Sequence, residues 1–155
     1  MKPVVLFDID YTLFDTAFFK ESGLSEHRIY EEVINVLENL SKIALLGIFS
    51  EGNISFQIKK LKETNIEKYF AKGNTHIVLN KLDELEGIFK RYKNRKFFFV
   101  DDKLTILGDA KKAFPDVFTI WVKRGPFAKM QKPIPGFKPD ATITTLKQVV
   151  PIINS

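Results

Sequence analysis

Short, uninterrupted runs of apolar residues recur along this 155-residue chain, and they constrain its fold more than any other feature. An apolar run without alternation is typical of a strand buried on both faces, as the strands of a parallel sheet are. Four runs are clear and two are weaker: 3–7, 43–49, 97–100 and 117–122, then 76–79 and 141–144. We expect each of them to form a strand.

Between these runs, apolar residues recur every three or four positions, which is typical of helices that face a core. The predicted helices are 26–41 with Ser25 as its N-cap, 53–64, 81–93, one around 104–110 and a short one at 145–151. Strands that alternate with helices predict an α/β fold: a three-layer, Rossmann-like parallel sheet with helices on both faces. No linker or repeat interrupts the chain, so residues 1–155 are expected to form one domain.

Composition excludes several kinds of site. The chain has no cysteine, which excludes disulfides, thiolate catalysis and cysteine zinc sites, and only two histidines, which argues against histidine triads. No run approaches the roughly 18 apolar residues of a membrane span, and no secretory signal is seen, so we expect a cytoplasmic protein. The first 50 residues carry a net charge of −4 and the remainder +9, so the later part attracts anions.

Polar residues suited to phosphate chemistry stand at the ends of the predicted elements. They are Asp8 and Asp10 after the first strand, Ser50 after the second, Lys81 at the start of a helix, and Asp101 and Asp102 after the strand at 97–100. Ligands of open α/β sheets bind outside the carboxyl ends of the strands. We therefore expect these side chains to converge at one edge of the sheet.

The chemistry of such a cluster follows from its charges. Carboxylates repel one another unless a cation lies among them, and oxygen ligands suit Mg²⁺. A carboxylate can attack phosphorus to form an aspartyl-phosphate. A second carboxylate two residues further on can protonate the leaving oxygen and later activate water. The pattern predicts Mg²⁺-assisted chemistry at phosphorus.

The same residues carry a resemblance to a known family. Phe-Asp-Ile-Asp-Tyr-Thr-Leu at 7–13 resembles the first signature of the haloacid dehalogenase-like superfamily, and 45–70 is similar to the second signature with its following helix. Lys81 falls where the third-signature lysine is expected, 20 residues before Asp101, and Phe-Phe-Phe-Val-Asp-Asp resembles the fourth signature. The likeness covers nearly the whole chain in the right order. It implies this superfamily's fold and a phosphoric monoester hydrolase.

The resemblance also implies a role for each residue. Asp8 would be the nucleophile and a Mg²⁺ ligand, and Asp10 would be the general acid/base with its backbone carbonyl on the metal. Thr12 would support the turn, Ser50 would donate to a phosphoryl oxygen, and Lys81 would pair with Asp8 and the phosphoryl group. Asp102 and Asp101 would complete the metal site. Dehalogenases of the superfamily lack an aspartate at the position of Asp10, so carbon–halogen hydrolysis is disfavoured. Tyr11 and Ile106 depart from common choices, glycine and an acid respectively.

Two segments are expected to shape access to the site. Neither place where the superfamily inserts caps is long enough for a full cap domain; residues 14–24 would form only a small flap. The segment 123–138 is rich in proline, glycine and lysine, which predicts a long basic loop. We expect Lys129 and Lys132 there to bind the distal, anionic part of a substrate. An open site suits a macromolecular phosphate, or a small one enclosed by another subunit, and we expect a monomer or a homodimer.

Other functions remain open at this stage. The site chemistry also fits a phosphotransferase or a phosphatase of nucleic-acid ends. A catalytically idle phosphate-binding relative is a further alternative. A receiver-type phosphoacceptor domain would place its acidic pair and its acceptor aspartate in a different order. The net positive charge of the later part of the chain suggests a nucleic-acid binding module as another alternative. The aromatic residues that such a module would use for stacking lie mostly in predicted core strands.

Overall fold

The structure of the protein, a computed structural model, describes all residues from 1 to 155. Six strands form one sheet, and all five neighbouring pairs run parallel. The strands are β1 (Val4–Phe7), β2 (Leu45–Glu51), β3 (Thr75–Val78), β4 (Phe97–Asp101), β5 (Phe118–Val122) and β6 (Ala141–Ile143). All six predicted strands are present, in the spatial order 3-2-1-4-5-6.

Helices cover both faces of this sheet, which confirms the predicted fold class. They are α1 (Thr16–Glu21), α2 (Val33–Ser41), α3 (Ile54–Glu63), α4 (Lys81–Phe89), α5 (Leu104–Ala113), α6 (Pro126–Met130) and α7 (Val149–Asn154), with short 3₁₀ turns between some of them. One core cluster joins the sheet to α2, α3 and α7, and a second joins it to α4 and α5. None of the helices has the length and apolar character needed to cross a membrane.

Strand β1 lies at the centre of the sheet and contributes to both cores. Val5 and Phe7 belong to the first cluster, whereas Val4 and Leu6 belong to the second, and all four are fully buried. Successive side chains of a strand point to opposite faces, so a strand covered on both faces must be apolar at every position. This is the physical reason for the uninterrupted run that opens the chain.

The helix predicted at 26–41 is wrong in its first half, because α2 begins only at Val33. The backbone of the preceding residues is hydrogen-bonded to the segment after β1 instead of to its own next turn. Tyr30 N donates to Leu13 O at 3.0 Å, and Asp15 N donates to Arg28 O at 2.8 Å. Ser25 therefore caps no helix. Ile29 is apolar because it packs against the first core cluster, and not because it belongs to a helical turn.

No full cap domain covers the carboxyl edge of the sheet. Between β1 and β2 the chain forms only α1, a hydrogen-bonded irregular segment and α2. Between β2 and α4 it forms α3, two 3₁₀ turns and β3. The carboxyl ends of the two central strands, β1 and β4, are thus free to hold a site.

Candidate active site

Asp8 stands directly after β1, where it is held by the neighbouring strand and by a tight turn. Its backbone N donates to Val100 O of β4 at 3.0 Å, which continues the sheet by one residue. Beyond it the chain turns back on itself, since Leu13 N donates to Ile9 O at 2.9 Å. Thr12 is fully buried in this turn, and its hydroxyl donates to Asp8 Oδ2 at 3.4 Å. The turn fixes the direction of the Asp8 side chain.

Pairing of β1 with β4 places Asp8 beside Asp101, because Phe7 is in register with Val100. Lys81, at the start of α4, bridges the two carboxylates: its Nζ donates to Asp8 Oδ1 at 2.8 Å and to Asp101 Oδ2 at 2.7 Å. The side chain of Lys81 is only 5% exposed. Residues that are 73 and 20 positions apart in the chain therefore form one buried ionic group.

Asp102 completes a cluster of three buried carboxylates. One carboxylate oxygen from each of Asp8, Asp101 and Asp102 lies within 4.8 Å of the others. Asp101 is well supplied with donors, because Lys103 N also donates to it at 2.8 Å. Both oxygens of Asp102, in contrast, are buried without any hydrogen-bond donor. A buried carboxylate that lacks donors is costly unless a cation or a proton accompanies it.

The electrostatics of the cluster agree with this reading. Burial raises the pKa of Asp102, and the charges of Asp8 and Asp101 raise it further. Burial and the charge of Asp101 raise the pKa of Asp8 as well, although Lys81 opposes them. For Lys81, burial disfavours the ammonium, but Asp101 and Asp8 outweigh it and raise the pKa of the amine. Lys81 is therefore charged at neutral pH, and the cluster still has more negative than positive charge.

Asp10 has a different set of partners, from α3 and α1. Lys60 Nζ donates to its Oδ1 at 2.8 Å, Thr16 Oγ1 donates to the same oxygen at 3.0 Å, and Gln57 Nε2 donates to Oδ2 at 3.2 Å. Burial alone would raise the pKa of Asp10, but the Lys60 ammonium and these hydrogen bonds lower it. Asp10 is thus held as a carboxylate by the protein itself.

Sequence reasoning missed Lys60 and Gln57. Both are almost fully buried on α3, where they flank the apolar stripe that predicted the helix. A usable signal was their spacing of three residues, which places two polar side chains on one helix face, soon after Ser50. Ser50 itself is buried, and its hydroxyl oxygen accepts a hydrogen bond from Gln57 Nε2 at 3.0 Å. Gln57 therefore connects Ser50 with Asp10.

The carboxylates open into a cavity of about 250 Å³. Asp8, Asp102 and Lys81 line its inner part. Its outer wall comes from three other segments: Tyr11 and Lys20 from the turn and α1, Lys103 from the residue before α5, and Phe127 from α6. The site is therefore a cleft of limited size at the carboxyl ends of β1 and β4.

The structure does not place Lys129 and Lys132 in the lining of this cavity; both are exposed. Residues 126–130 form the short helix α6 instead of an irregular loop, and Phe127 faces the cavity. Two residues correspond to about 200° around a helix, so Lys129 lies on the far side from Phe127. Lys20 and Lys103 are the lysines that line the outer cavity.

The segment 123–138 is fastened on both sides of α6. Before α6, Arg124 forms an ion pair with Glu32, just before α2. After α6, Gln131 Nε2 donates to Asp102 O at 2.9 Å and its Oε1 accepts from Leu104 N. Between these points, Gly125 has a φ of 75°, and an added Cβ would lie 2.5 Å from the Tyr11 ring. This close approach requires glycine.

Comparison with known proteins gives structural neighbours only. No family model matches the chain, and no curated protein matches it. A protein described as a haloacid dehalogenase-like hydrolase from Burkholderia xenovorans LB400 superposes with a TM-score of 0.81 at 22% identity, over 97% of this chain and 96% of that one. The hydrolase YfnB from Bacillus subtilis, described as bound to magnesium, gives 0.72 at 14% identity, with 99% of each chain covered.

Neighbours of different activity share this fold. A 2-haloacid dehalogenase from Pseudomonas syringae pv. Tomato DC3000 gives a TM-score of 0.70 at 16% identity, over 99% of this chain and 98% of that one. Proteins described as phosphatases are among the neighbours too. The chain has the haloacid dehalogenase-like fold, as its sequence predicts, while the choice of reaction rests on the residues of the site.

Proposed function

We propose that this protein, with its haloacid dehalogenase-like fold, is a magnesium-dependent phosphatase that hydrolyses phosphate monoesters through an aspartyl-phosphate on Asp8. The observation that carries the proposal is the buried group of Asp8, Asp101, Asp102 and Lys81 at the carboxyl edge of the sheet. It combines an aspartate at the cavity, a fixed ammonium and a carboxylate without donors. Asp10 lines the same cavity two residues after Asp8.

The donor set fits a hard divalent cation. Oxygen ligands are those that Mg²⁺ prefers, and Asp102 offers two buried oxygens that no donor satisfies. Asp8, Asp102 and the backbone carbonyl of Asp10 would hold the ion, whereas Asp101 is engaged by Lys81 and Lys103 N. When bound, Mg²⁺ would neutralise charge on the phosphoryl oxygens. Asp101 then acts mainly by positioning Lys81.

The first half of the reaction uses Asp8 and Asp10. A carboxylate oxygen of Asp8 attacks phosphorus, a new P–O bond forms, and the bond from phosphorus to the leaving oxygen breaks. Asp10 first takes up a proton from solvent, against the lowering of its pKa by Lys60, and gives that proton to the leaving oxygen, so the product leaves as a neutral alcohol. Lys81 balances negative charge at Asp8 and on the phosphoryl group. The Ser50 hydroxyl accepts from Gln57, but Ser50 is 1% exposed and does not line the cavity, so its predicted contact with a phosphoryl oxygen requires a movement of the side chain.

In the second half, Asp10 takes a proton from water as that water attacks phosphorus. The P–O bond to Asp8 breaks, which releases inorganic phosphate and restores the Asp8 carboxylate. One ester and one water are consumed, and one alcohol and one phosphate are formed. The lowered pKa of Asp10 suits this half, because it must be ionised to act as a base.

The presence of Asp10 favours phosphate esters over haloacids. An alkoxide leaving group needs a proton, whereas a halide leaves as a stable anion and needs none. Three hydrogen-bond donors hold Asp10 at the cavity, where it can deliver that proton once it has taken one up from solvent. The fold alone does not distinguish the reactions, since a 2-haloacid dehalogenase shares it.

The direct test is hydrolysis of p-nitrophenyl phosphate with Mg²⁺, with EDTA, and by Asp8→Asn. We expect turnover that requires Mg²⁺ and is lost in Asp8→Asn. A second assay with 2-chloropropionate measures chloride release, which should be absent. Metal-independent turnover, undiminished turnover by Asp8→Asn, or chloride release would each contradict the proposal.

A further inference from the structure

Two lysines at the mouth of the cavity have no acidic partner. Lys20 and Lys103 both line the cavity, yet neither takes part in any salt bridge, and no side-chain amine hydrogen bond is made by either. Lys81, in contrast, is fully engaged by Asp8 and Asp101. The outer cavity therefore holds two positive charges that the protein does not neutralise by direct contact.

Each of these two lysines lies near an aromatic ring, and the two rings contact each other. Lys103 Nζ lies 4.8 Å from the centre of the Phe127 ring, and Lys20 Nζ lies 5.7 Å from the centre of the Tyr11 ring. The two rings meet edge to face, with centroids 6.2 Å apart. Lys103 is further fixed through its backbone N, which donates to Asp101.

The rings themselves are poorly placed to stack on a planar ligand. Tyr11 is only 7% exposed, and its ring lies against Gly125 and Phe127. Stacking on bases needs an open aromatic face. The outer cavity therefore offers a ligand the half-buried Phe127 ring and two ammonium groups, and of these the ammonium groups attract an anion.

The size of the cavity and one further charge limit the ligand. A volume of about 250 Å³ lies below the 300–1,000 Å³ typical of pockets for drug-sized ligands. Glu51 also lines the cavity, and its carboxylate accepts from Lys81 N at 3.0 Å. A second anionic group on the substrate is repelled by Glu51 and attracted to Lys103 and Lys20.

We propose that Lys103, with Lys20, forms an anion subsite for the leaving group, so that the substrate is a small phosphate monoester with a second anionic group, carboxylate or phosphate. The subsite rests on the proposed function, because it assigns the inner cavity to the phosphoryl group. It is distinct from the earlier prediction for Lys129 and Lys132, which lie outside the cavity.

Binding to an Asp8→Asn protein tests the subsite without depending on turnover. Asn at this position removes a charge from a cluster that is short of positive charge, so this variant should fold. Calorimetry with Mg²⁺ compares three probes that differ only at the distal end: 3-phosphooxypropanoate, propane-1,3-diyl bisphosphate and 3-hydroxypropyl phosphate. We expect the two probes with an anionic distal group to bind on the order of tenfold more tightly than the hydroxyl probe. The ratio of the Kd values of these two probes shows whether the subsite prefers a carboxylate or a phosphate.

Single substitutions then locate the preference. Lys103→Gln in the Asp8→Asn background should remove most of the preference for an anionic distal group. It should leave the affinity of 3-hydroxypropyl phosphate unchanged. Lys20→Gln should have a smaller effect, since Lys20 is exposed. Lys129→Gln, on the far side of α6, is the matched control and should change nothing.

The outcomes separate the subsite from the proposed function. Equal affinity for all three probes, no binding of any, or equal weakening of all three by Lys103→Gln would overturn the subsite while p-nitrophenyl phosphate turnover by the native protein could still stand. Loss of that turnover, with the binding preference intact, would overturn the phosphatase and keep the anion subsite.

Discussion

Asp8 and Asp10 are two residues apart in the chain, yet their carboxyl groups have opposite surroundings. Asp8 faces two other carboxylates and shares its only ammonium with Asp101. Asp10 faces Lys60 and two further donors and has no acidic neighbour in its hydrogen-bond shell. Burial and Asp101 raise the pKa of Asp8, whereas Lys60 overcomes burial and lowers the pKa of Asp10.

One turn thus holds two acids in opposite electrostatic surroundings. The protein supplies the cation for Asp10 but leaves the group around Asp8 short of positive charge. Pairs of carboxyl groups whose pKa values are pushed apart are a feature of acid/base sites. The Asp8 region should therefore depend on an ion from solution, and the Asp10 region should not.

The largest effect should come from removing the acid/base group. Asp10→Asn should lower kcat for an alkyl phosphate by about 10²–10⁴-fold. The loss for p-nitrophenyl phosphate should be smaller, because p-nitrophenolate leaves without a proton. Steady-state kinetics on both substrates give the ratio. An equal loss on both would contradict a role for Asp10 in protonating the leaving group.

Magnesium should stabilise the Asp8 region specifically. At a free concentration 100 times its Kd, Mg²⁺ should add about 2.7 kcal/mol, which raises the Tm of a chain of this size by about 5–10 °C. Asp102→Asn should raise the Tm in EDTA, since it removes an acid that is buried without hydrogen-bond partners and whose pKa burial raises, and should diminish the shift caused by Mg²⁺. Asp116→Asn, an exposed acid, is the control. If Mg²⁺ raises the Tm of Asp102→Asn as much as that of the native protein, Asp102 is not a metal ligand.

Lys60→Met should make the surroundings of Asp10 more like those of Asp8, because it removes the ammonium group that only Asp10 contacts. Without its ammonium partner the pKa of Asp10 rises, and less of it is ionised to activate water. We expect kcat for p-nitrophenyl phosphate to fall by about tenfold, less than the loss of the acid/base group itself, with a burst of p-nitrophenol as the phosphoenzyme accumulates. Lys59→Met, its exposed neighbour on α3, should behave as the native protein. The absence of both a burst and a kcat change would show that Lys60 does not support Asp10.

The smallest effect should be on stability against pH in EDTA. The folded-state pKa of Asp8 is raised, so its contribution is fully present below the unfolded value of 3.8 and is lost as pH rises through the folded value. Asp102 acts in the same direction. Asp10 acts in the opposite direction, because its pKa is lowered in the folded state. Its contribution to stability is present above the unfolded-state pKa and is lost only as pH falls through the folded-state pKa. Burial lowers the pKa of His76, which acts the opposite way between pH 7 and pH 5, so the effect of Asp8 is measured against Asp8→Asn. From pH 7 to pH 5, the urea midpoint of the metal-free native protein should rise relative to that of Asp8→Asn. An identical pH dependence of the two proteins would refute this.

The Asp8 region could be foreseen from the sequence far better than the Asp10 region. Buried parallel strands leave an uninterrupted apolar signature, so the ends of β1 and β4 were predictable and their acids could be assigned to one edge. Lys60 and Gln57 reach Asp10 only because α3 packs at a particular rotation on the sheet. That rotation is set by tertiary contacts such as those of Leu61, which sequence spacing does not specify.

The outer cavity was harder still to predict. Residues 123–138 were expected to be an irregular loop, but 126–130 form α6, and this decides that Phe127 faces the cavity while Lys129 does not. The lost first half of the helix at 26–41 has a similar cause: backbone pairing with residues 13–15 replaced helical hydrogen bonds. In both places, contacts between distant segments overrode local preference.

The outer wall of the cavity has a consequence for how this protein can change over generations. Lys20 and Phe127 stand on α1 and α6, which carry none of the hydrogen bonds of the sheet. If the proposed function holds, substitutions there would alter which ester is accepted while the ends of β1 and β4 keep their geometry. New selectivity is thus within reach of a few mutations, and a library randomised at these two positions would explore it without rebuilding the fold.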